Sequence, residues 1–430
     1  MNEEWRTNGY TEHAVAGDEG EPSVKLSRRQ LLAWLGGTLL TQGCARRLQG
    51  VKPAALGPEI ERVLAEARGP GMACGIVRPG HVRWSKGLGL ADVEHQRPML
   101  ADTLINVGSV SKTVTATAVM QLWEQNRFGL QDDVGKHLSF ALRNPHFPEV
   151  PITFEQLLTH RSSIKDNWPI YDRTYVCGDS PVALGDWLKG YFTPGGAYWD
   201  EDNWHQWPPG TVNPPAEPRC YSNVGFGVLG YLVELLGQRP FSAFCKERIF
   251  RPLGMYHTGW FLREIDVAHH ATPYVRAAEQ MPAREAGLFR TASAMDVRSL
   301  SHGTLIPLCL YSFANYPDGA LRTSANELGQ FVAAYLAQGR GHGSRLLKPE
   351  TLRVMFSDKH LGRHLCWDTR ELPDGRSIIV HGGRDPGVTA FVAFEPASHT
   401  GAVCVRNFEV SQEDNYRLIA QLLDAGQRIG

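Results

Sequence analysis

The stretch Ser109-Val110-Ser111-Lys112 precedes a long apolar segment, and the rest of the chain can be interpreted outward from it. Apolar residues recur at helical spacing after Ser109, which predicts a buried helix that ends near residue 126. Because residues three positions apart share a helix face, the Lys112 amine can reach the Ser109 hydroxyl. A lysine that packing has desolvated can lose its charge and take the proton of a serine, which makes the serine a nucleophile. The pair is therefore chemically sufficient to begin acyl transfer.

A second pair with the same spacing, Ser162 and Lys165, shows that spacing alone is weak evidence. It is followed by Asp166-Asn167-Trp168-Pro169, which predicts a loop rather than a helix. For the first pair, a helix N-cap at Ser109 and a surface charge at Lys112 are the structural alternatives. The tetrapeptide by itself leaves these alternatives and the catalytic interpretation equally open.

Composition and charge narrow the class of protein. A chain of 430 residues with 42% hydrophobic residues can bury a large core. Lys and Arg total 44 and Asp and Glu total 45, so no basic excess favours nucleic acid or an anionic membrane surface as a partner. The sequence has no apolar run of the ~20 residues that a membrane-spanning helix needs. We expect a folded monomer that does not bind nucleic acid.

The first 50 residues are expected to be a leader rather than part of the fold. Residues 1–26 are polar and acidic, which favours disorder. Arg28-Arg29 then precede a short apolar run, and this order resembles a twin-arginine export signal, with an amphipathic helix as the alternative. Leu40-Thr41-Gln42-Gly43-Cys44 is similar to a bacterial lipoprotein cleavage site, but has Thr41 where leucine is usual. We therefore predict export to the periplasm or cell envelope, and a lipid anchor on Cys44 stays open.

The cysteines give no sign of a metal site. Besides Cys44 there are seven, at positions 74, 177, 220, 245, 309, 366 and 404, without a CxxC pair or a Cys/His cluster. A twin-arginine substrate folds before export in a reducing compartment, so most of them are expected to be buried thiols. One or two disulfides are the alternative.

The hydrophobic pattern predicts a sheet built from both ends of the chain. Strands are expected at 72–77, 82–90, 378–381, 388–395 and 401–407, with Pro79-Gly80 as a turn signal between the first two. Helices are expected near 58–68, 153–159, 181–191, 224–237, 241–249 and 412–424. The sequence thus predicts one α/β (α+β) domain over residues 51–430, with its sheet part at about 55–130 and 311–430 and a helical lobe at about 131–310. Ser109 would lie in the cleft between these two parts.

Two further motifs fall at the ends of predicted elements. Tyr221-Ser222-Asn223 directly precedes a predicted helix, and a phenol near a lysine can pass protons while an amide can hold a substrate carbonyl or orient the lysine. An N-cap beside a core tyrosine is the alternative. His381-Gly382-Gly383 is predicted to end a strand, where glycines would let a substrate approach and leave N–H groups for an oxyanion. A turn between two strands is the alternative there.

In their order along the chain, Ser-x-x-Lys, Tyr-Ser-Asn and His-Gly-Gly resemble the motifs of the class C β-lactamase and penicillin-binding-protein family of serine hydrolases. The resemblance covers roughly residues 55–425 and is supported by three other stretches: Ile152 to His160, Ile249 to Met255 and Gly319 to Ser324. The family implies an antiparallel sheet flanked by helices, with an inserted all-helical lobe. It implies no metal and no organic cofactor.

The resemblance also implies a role for each motif residue. Ser109 would be the acylated nucleophile, and Lys112 and Tyr221 would be the proton-transfer pair. Asn223 would contact the substrate or Lys112. The backbone N–H groups of Ser109 and Arg384 would form the oxyanion hole.

The departures from the family concern the substrate. Members that hydrolyse β-lactams or peptides usually have Lys-Thr-Gly where this chain has His381-Gly382-Gly383, a form that is more similar to related esterases and D-amino-acid amidases. A lysine keeps a full charge that can hold a substrate carboxylate, whereas an ordinary imidazole with a pKa of ~6.5 is mostly neutral at pH 7. Arg384 could restore the charge, but alternation along the strand is expected to turn it to the opposite face.

We therefore predict a serine hydrolase of small esters or amides. A β-lactamase or D-Ala-D-Ala carboxypeptidase is the first alternative, and a non-catalytic envelope-binding protein is the second.

Loops near the predicted cleft also depart from the family. Arg161-Ser162-Ser163 stands where Thr-Ser-Gly is usual, and Ala216 to Cys220 replace a Pro-Gly turn. Residues 187–215 are rich in Trp, Tyr and Phe. A lid over the acyl pocket is one interpretation of this segment, and packing of the segment on itself is the other.

Overall fold

A seven-stranded antiparallel sheet is the centre of the fold in the computed structural model, which describes residues 69–212, 220–277, 301–359 and 363–429 together with residues 62, 285 and 287–289. The strands are β1 (Gly71–Arg78), β2 (His81–Asp92), β3 (Arg97–Pro98), β4 (Asp368–Glu371), β5 (Ser377–Asp385), β6 (Val388–Glu395) and β7 (Thr400–Arg406). Their spatial order is β4-β5-β6-β7-β1-β2-β3. The predicted leader, and the helix predicted near residues 58–68 apart from residue 62, lie outside the described residues.

The sheet joins distant parts of the chain. β1 and β2 form a hairpin at Gly80, whose φ of +81° favours glycine. β7 lies beside β1 with Cys404 opposite Cys74, so strands 330 residues apart pair directly. The predicted sheet, built from both ends of the domain and flanked by helices, is confirmed.

Helices flank the sheet: α1 (Ser111–Glu124), α2 (Phe154–Leu158), α3 (Trp168–Tyr171), α4 (Leu184–Phe192), α5 (Asn223–Gly237), α6 (Phe241–Cys245), α7 (Ala325–Leu336), α8 (Pro349–Met355) and α9 (Gln412–Arg428). A π-helical turn, Lys246–Phe250, continues α6. Short strands also pair outside the main sheet: 105–106 with 322–323, 176–177 with 311–312, 274–276 with 305–307, and 340–341 with 344–345. Within the described part of the chain, no helix is long and apolar enough to cross a membrane.

Apolar side chains fill both faces of the sheet. On one face, the apolar side of α9 packs against β1 and β7. On the other face, α7 and the helices that precede it share a larger core with α1. Every residue of α1 from Ser111 to Leu122 is buried, including Lys112 and three threonines. The start of α1 therefore lies inside the domain, where the sheet meets the helical region.

Strand β5 extends further than the sequence predicts. The pattern places its end at His381, but Gly382, Gly383 and Arg384 also pair with residues of β6. Pairing with a neighbouring strand outweighs the low strand propensity of glycine. The turn falls instead at Gly387, which has a φ of +68°. Helices α7 and α8 are further elements that no prediction from the sequence covers.

The cysteines form one disulfide among the described residues. Cys177 and Cys309 are joined, and this bond links the strand 176–177 to the segment that precedes the strand 311–312. Buried thiols are found at positions 74, 220, 245, 366 and 404. Most of the cysteines are thus buried thiols, as expected.

Candidate active site

Ser109 lies on a tight turn that is held against β5. The 3₁₀ turn Gly108–Val110 leads into α1, and Gly108 has a φ of +50°. A Cβ atom on Gly108 would lie 2.9 Å from the backbone nitrogen of Arg384. A Cβ atom on Gly383 would lie 2.0 Å from a carbonyl oxygen at the start of the turn. Both glycines therefore let the turn and the strand approach each other closely.

The Lys112 side chain is fully buried next to Ser109. Its Nζ donates hydrogen bonds to Ser109 Oγ at 2.9 Å, to Asn223 Oδ1 at 2.6 Å and to the backbone carbonyl oxygen of Asp318 at 2.9 Å. The carboxylate oxygen Oδ2 of Asp318 lies 3.3 Å from the same nitrogen. Lys112 is thus not a surface charge. Ser109 is not the N-cap either, because α1 is capped by Val110 without a side-chain bond.

The surroundings of Lys112 favour its ammonium form. Burial lowers the pKa of Lys112, but its interactions with Tyr221 and Asp318 raise it by more, so the pKa lies above its ordinary value. An ammonium group donates to Ser109 Oγ and cannot accept the serine proton. This differs from the sequence expectation of a desolvated, neutral lysine, because the contact with Asp318 is not visible in the local sequence.

Asp166 fixes the orientation of Asn223. Its carboxylate accepts hydrogen bonds from the backbone N–H of Asn223 at 2.8 Å, the side-chain amide of Asn223 at 2.9 Å, the Val224 N–H at 3.0 Å and the Ser222 hydroxyl at 3.2 Å. Because the Asn223 amide nitrogen is used in this way, its Oδ1 faces Lys112. Burial raises the pKa of Asp166 to about 6, although the two backbone donors lower it. Ser222 is at the same time the N-cap of α5.

Tyr221 completes the group around Lys112. Its side chain interacts electrostatically with Ser109 and Lys112, and Lys112 Nζ lies 5.0 Å from the centre of its ring. His160 stacks on the Tyr221 ring with ring centres 4.1 Å apart, and its Nδ1 accepts a hydrogen bond from the Ser222 N–H at 3.1 Å. Burial raises the pKa of Tyr221, and the charge of Lys112 offsets only part of this rise.

The residues His381 to Arg384 lie along β5 beside the Ser109 turn. Alternation along the strand buries His381 and Gly383 and exposes Gly382 and Arg384. The Nδ1 of His381 donates a hydrogen bond to the Gly382 carbonyl oxygen at 2.8 Å. The Arg384 side chain is 71% exposed and forms an ion pair with Glu409, so only its backbone faces the turn.

Sequence reasoning missed three residues of this site. Asp166 lies in a segment predicted only as a loop, Asp318 directly precedes one of the family-like stretches, and His160 was recognised only as part of another. The second Ser-x-x-Lys pair is not assembled like the first, since Ser162 is buried and Lys165 Nζ lies 3.8 Å from the exposed Asp202. No cluster of three or more His, Cys, Asp or Glu residues that could hold a metal occurs in the described ranges.

The aromatic segment that begins at Trp187 is mostly core. Four of its large side chains are buried: Trp187, Tyr191, Phe192 and Trp204. The Trp187 ring meets the Tyr171 ring edge to face and donates its Nε1–H to Asn315 at 3.0 Å. This part of the segment therefore packs within the domain and supports the residues around Asp318. Residues 213–219, with most of the altered turn before Tyr221, lie outside the described residues.

Comparison with known proteins agrees with this geometry. A family model described as beta-lactamase matches residues 59–427. The chain belongs to the β-lactamase family. Proteins that are similar to it include a β-lactamase and penicillin-binding proteins.

Two relatives and one solved structure illustrate the similarity of this β-lactamase-family chain. A β-lactamase of Lysobacter lactamgenus is 24% identical over 384 residues, which are 86% of this chain and 92% of that protein. A penicillin-binding protein of Bacillus subtilis is 26% identical over 206 residues, 46% of this chain, and the chain spans only 40% of that relative's length. The structure of the D-alanine carboxypeptidase AmpC from Burkholderia cenocepacia has a TM-score of 0.61 at 22% identity and covers 86% of this chain and 98% of its own. That likeness shows the fold.

Proposed function

We propose that this protein hydrolyses small esters or amides through an acyl-enzyme formed on Ser109. The observation that supports this most directly is the 2.9 Å contact between Lys112 Nζ and Ser109 Oγ. This contact lies in a buried group that also contains Tyr221 and Asn223, which are the remaining residues that acyl transfer by this chemistry requires.

In this proposal, Ser109 Oγ attacks the acyl carbonyl from the state in which the Lys112–Tyr221 pair has lost one proton to solvent, so that the pair can accept the serine proton. The backbone N–H groups of Ser109 and Arg384 donate to the oxyanion that forms on the carbonyl oxygen. The same pair returns the proton to the departing alcohol or amine. A water molecule then hydrolyses the acyl-enzyme and regenerates Ser109.

The preference for substrates without a carboxylate rests on β5. The guanidinium of Arg384 is exposed and forms an ion pair with Glu409. A carbonyl oxygen only accepts hydrogen bonds, so the contact with Gly382 assigns a proton to Nδ1 of His381. When the His381 ring is neutral, its Nε2 is therefore an acceptor and repels a carboxylate. Only the doubly protonated ring donates a hydrogen bond from Nε2.

Covalent labelling tests the acyl-enzyme. Wild-type protein treated with a fluorophosphonate should gain the mass of one adduct on Ser109, and Ser109→Ala should not. Ser162→Ala is the matched control, because it removes the serine of the other Ser-x-x-Lys pair, and its labelling should equal that of the wild type. If neither a fluorophosphonate nor a labelled penicillin gives an adduct, the protein is a non-catalytic binding protein and the proposal fails.

Hydrolysis of nitrocefin and of a short-chain nitrophenyl ester across pH 5.5 to 8 tests the substrate preference. The ester should be the better substrate, and nitrocefin turnover should improve relative to the ester as the pH falls and His381 gains a proton. His381→Lys should raise the nitrocefin-to-ester ratio roughly tenfold or more at pH 8, because a group that repels a carboxylate is replaced by one whose charge-assisted hydrogen bond contributes ~1.5–3 kcal/mol. Nitrocefin hydrolysis that exceeds ester hydrolysis and does not change with pH would instead favour a β-lactamase or carboxypeptidase.

We further propose that the protein is exported. The paired arginines Arg28 and Arg29 motivate this, and the Cys177–Cys309 disulfide supports it, since such bonds persist in oxidising compartments. A reporter fused to residues 1–50 should leave the cytoplasm only when both arginines are present. Export of the double-lysine variant at full rate would exclude the twin-arginine signal, and unchanged membrane association after Cys44→Ala would exclude a lipid anchor.

A further inference from the structure

Asp318 contacts Lys112 with both its backbone and its side chain. It ends the 3₁₀ turn Tyr316–Asp318 and is only 4% exposed. Its carbonyl oxygen accepts a hydrogen bond from Lys112 Nζ, and its Oδ2 lies 3.3 Å from the same nitrogen. Its other carboxylate oxygen, Oδ1, accepts hydrogen bonds from the Tyr171 hydroxyl at 2.8 Å and from Asn315 Nδ2 at 3.1 Å. The carboxylate is therefore anchored on one oxygen and turned toward Lys112 with the other.

Asp318 places a negative charge beside the buried Lys112 ammonium group. The three shortest hydrogen bonds of the Lys112 ammonium go to Asn223 Oδ1, Ser109 Oγ and the Asp318 carbonyl, which are neutral and do not balance its charge. The fourth acceptor, Asp318 Oδ2 at 3.3 Å, is the charged one. A charge in a fully buried position needs an opposite charge nearby. Asp318 supplies that charge in direct contact, whereas Asp166 acts from behind Asn223.

We propose that Asp318 is a positioning residue that holds Lys112 as an ammonium ion at neutral pH and thereby sets the protonation state from which Ser109 is activated. This inference rests on the proposed acyl-enzyme chemistry at Ser109. Asp318 does not touch the serine, so its effect on the reaction passes entirely through Lys112.

The titratable groups around Asp318 set the direction of the effect. Burial raises the pKa of Asp318 above its ordinary value, and Lys112 and the donors Tyr171 and Asn315, which favour the ionised form, offset only part of this rise. The charge of Asp318 also raises the pKa values of Asp166 and Tyr221. Removal of the Asp318 charge therefore leaves Lys112 with its burial penalty and without its nearest counter-ion, and the pKa of Lys112 must fall.

The substitution Asp318→Asn isolates the charge. It keeps the size of the side chain and the backbone carbonyl that contacts Lys112. The experiment measures the rate of Ser109 labelling by a fluorophosphonate from about pH 5.5 to about pH 11.5, read as intact mass, in the wild type and in the variant, so that the range extends above the ordinary pKa of a lysine. The limb of the pH profile that reflects the titration of Lys112 should move to lower pH by about one unit or more. The reason is that an opposite charge at this distance shifts a pKa by about 1–3 units.

Two further variants make the result decisive. Tyr171→Phe leaves the carboxylate in place but removes one of its donors, so it should move the same limb in the same direction by less. Asp92→Asn removes another buried carboxylate, which bonds to His95 and Thr272, and its profile should match the wild type. Thermal unfolding confirms that each variant is folded.

The outcomes separate the two proposals. Absence of Ser109 labelling in the wild type would refute the acyl-enzyme itself. Normal labelling of the wild type, with an Asp318→Asn profile that coincides with it within about half a pH unit, would show that Asp318 is merely structural. A limb that moves to higher pH in the variant would overturn the proposal as well.

Discussion

Replacement of Asp166 by asparagine tests whether the buried carboxylate that orients Asn223 lowers the free energy of unfolding when it is ionised. The wild-type side chain accepts four hydrogen bonds, two on each oxygen, from Ser222, Val224 and two groups of Asn223. Asparagine keeps one acceptor oxygen and presents an NH₂ group in place of the other, so two donors lose their acceptor. At ~1.5–3 kcal/mol for each hydrogen bond to a charged group, this loss is roughly 3–6 kcal/mol.

Part of that loss is recovered because the variant no longer buries a charge. The pKa of Asp166 rises from 3.8 to about 6 on folding, which corresponds to about 3 kcal/mol at pH values above both. The net effect at pH 8 should therefore be a destabilisation of about 0–3 kcal/mol. Because the folded pKa lies above the unfolded one, the contribution of Asp166 is fully present below about pH 4 and is lost as the pH rises through about 6.

The assay is the free energy of unfolding in urea, measured from pH 4 to pH 8 for the wild type and for Asp166→Asn. The difference between the two proteins should be largest at low pH and should shrink by about 3 kcal/mol as the pH rises. Asp202→Asn, at a side chain that is 80% exposed, is the control and should leave the pH dependence unchanged. A difference between wild type and Asp166→Asn that stays constant over this range would refute the reasoning.

Three other predictions concern the reaction and the framework. Tyr221→Phe should lower the kcat of ester hydrolysis by roughly 10²-fold or more with a smaller change in KM, because proton transfer acts in the transition state. A near-normal kcat would exclude Tyr221 from the proton transfer. Gly383→Ala should strongly slow Ser109 labelling, because the new Cβ would lie 2.0 Å from a carbonyl oxygen. Gly382→Ala is the control and should label at the normal rate, because no atom lies within 4 Å of its Cβ. Equal labelling rates for the two variants would contradict the close approach of strand and turn. Replacement of both Cys177 and Cys309 by serine should lower the free energy of unfolding by about 2–5 kcal/mol in a urea titration, and an unchanged value would show that this bond contributes nothing to stability.

The parts of the site that sequence reasoning found are those with local spacing. The Ser109–Lys112 pair follows from the helix period, and the Tyr221 motif follows from its place before a helix. Asp318 is 206 residues from Lys112, and Asp166 is 57 residues from Asn223, so no periodic pattern links either carboxylate to its partner. The pairing of Arg384 with Glu409 depends on tertiary structure in the same way. The fold was predicted better than the site because the strands of the sheet carry their own hydrophobic signal, whereas a buried aspartate in a loop carries none.

The place of β5 and β7 in the sheet has a consequence for the newly made protein. The turn that bears Ser109 leaves the ribosome long before β5, the strand that supports it, and before β7, which covers the edge of β1. A hairpin of β1 and β2 alone is marginally stable in water, and its open edge invites pairing with other chains. An unfinished chain therefore holds the serine without the strand backbone that faces it in the completed sheet. We therefore expect the proposed nucleophile Ser109 to become reactive only after β5 has been made, and a product that is truncated before β5 to be inert toward acyl donors in the cell that makes it.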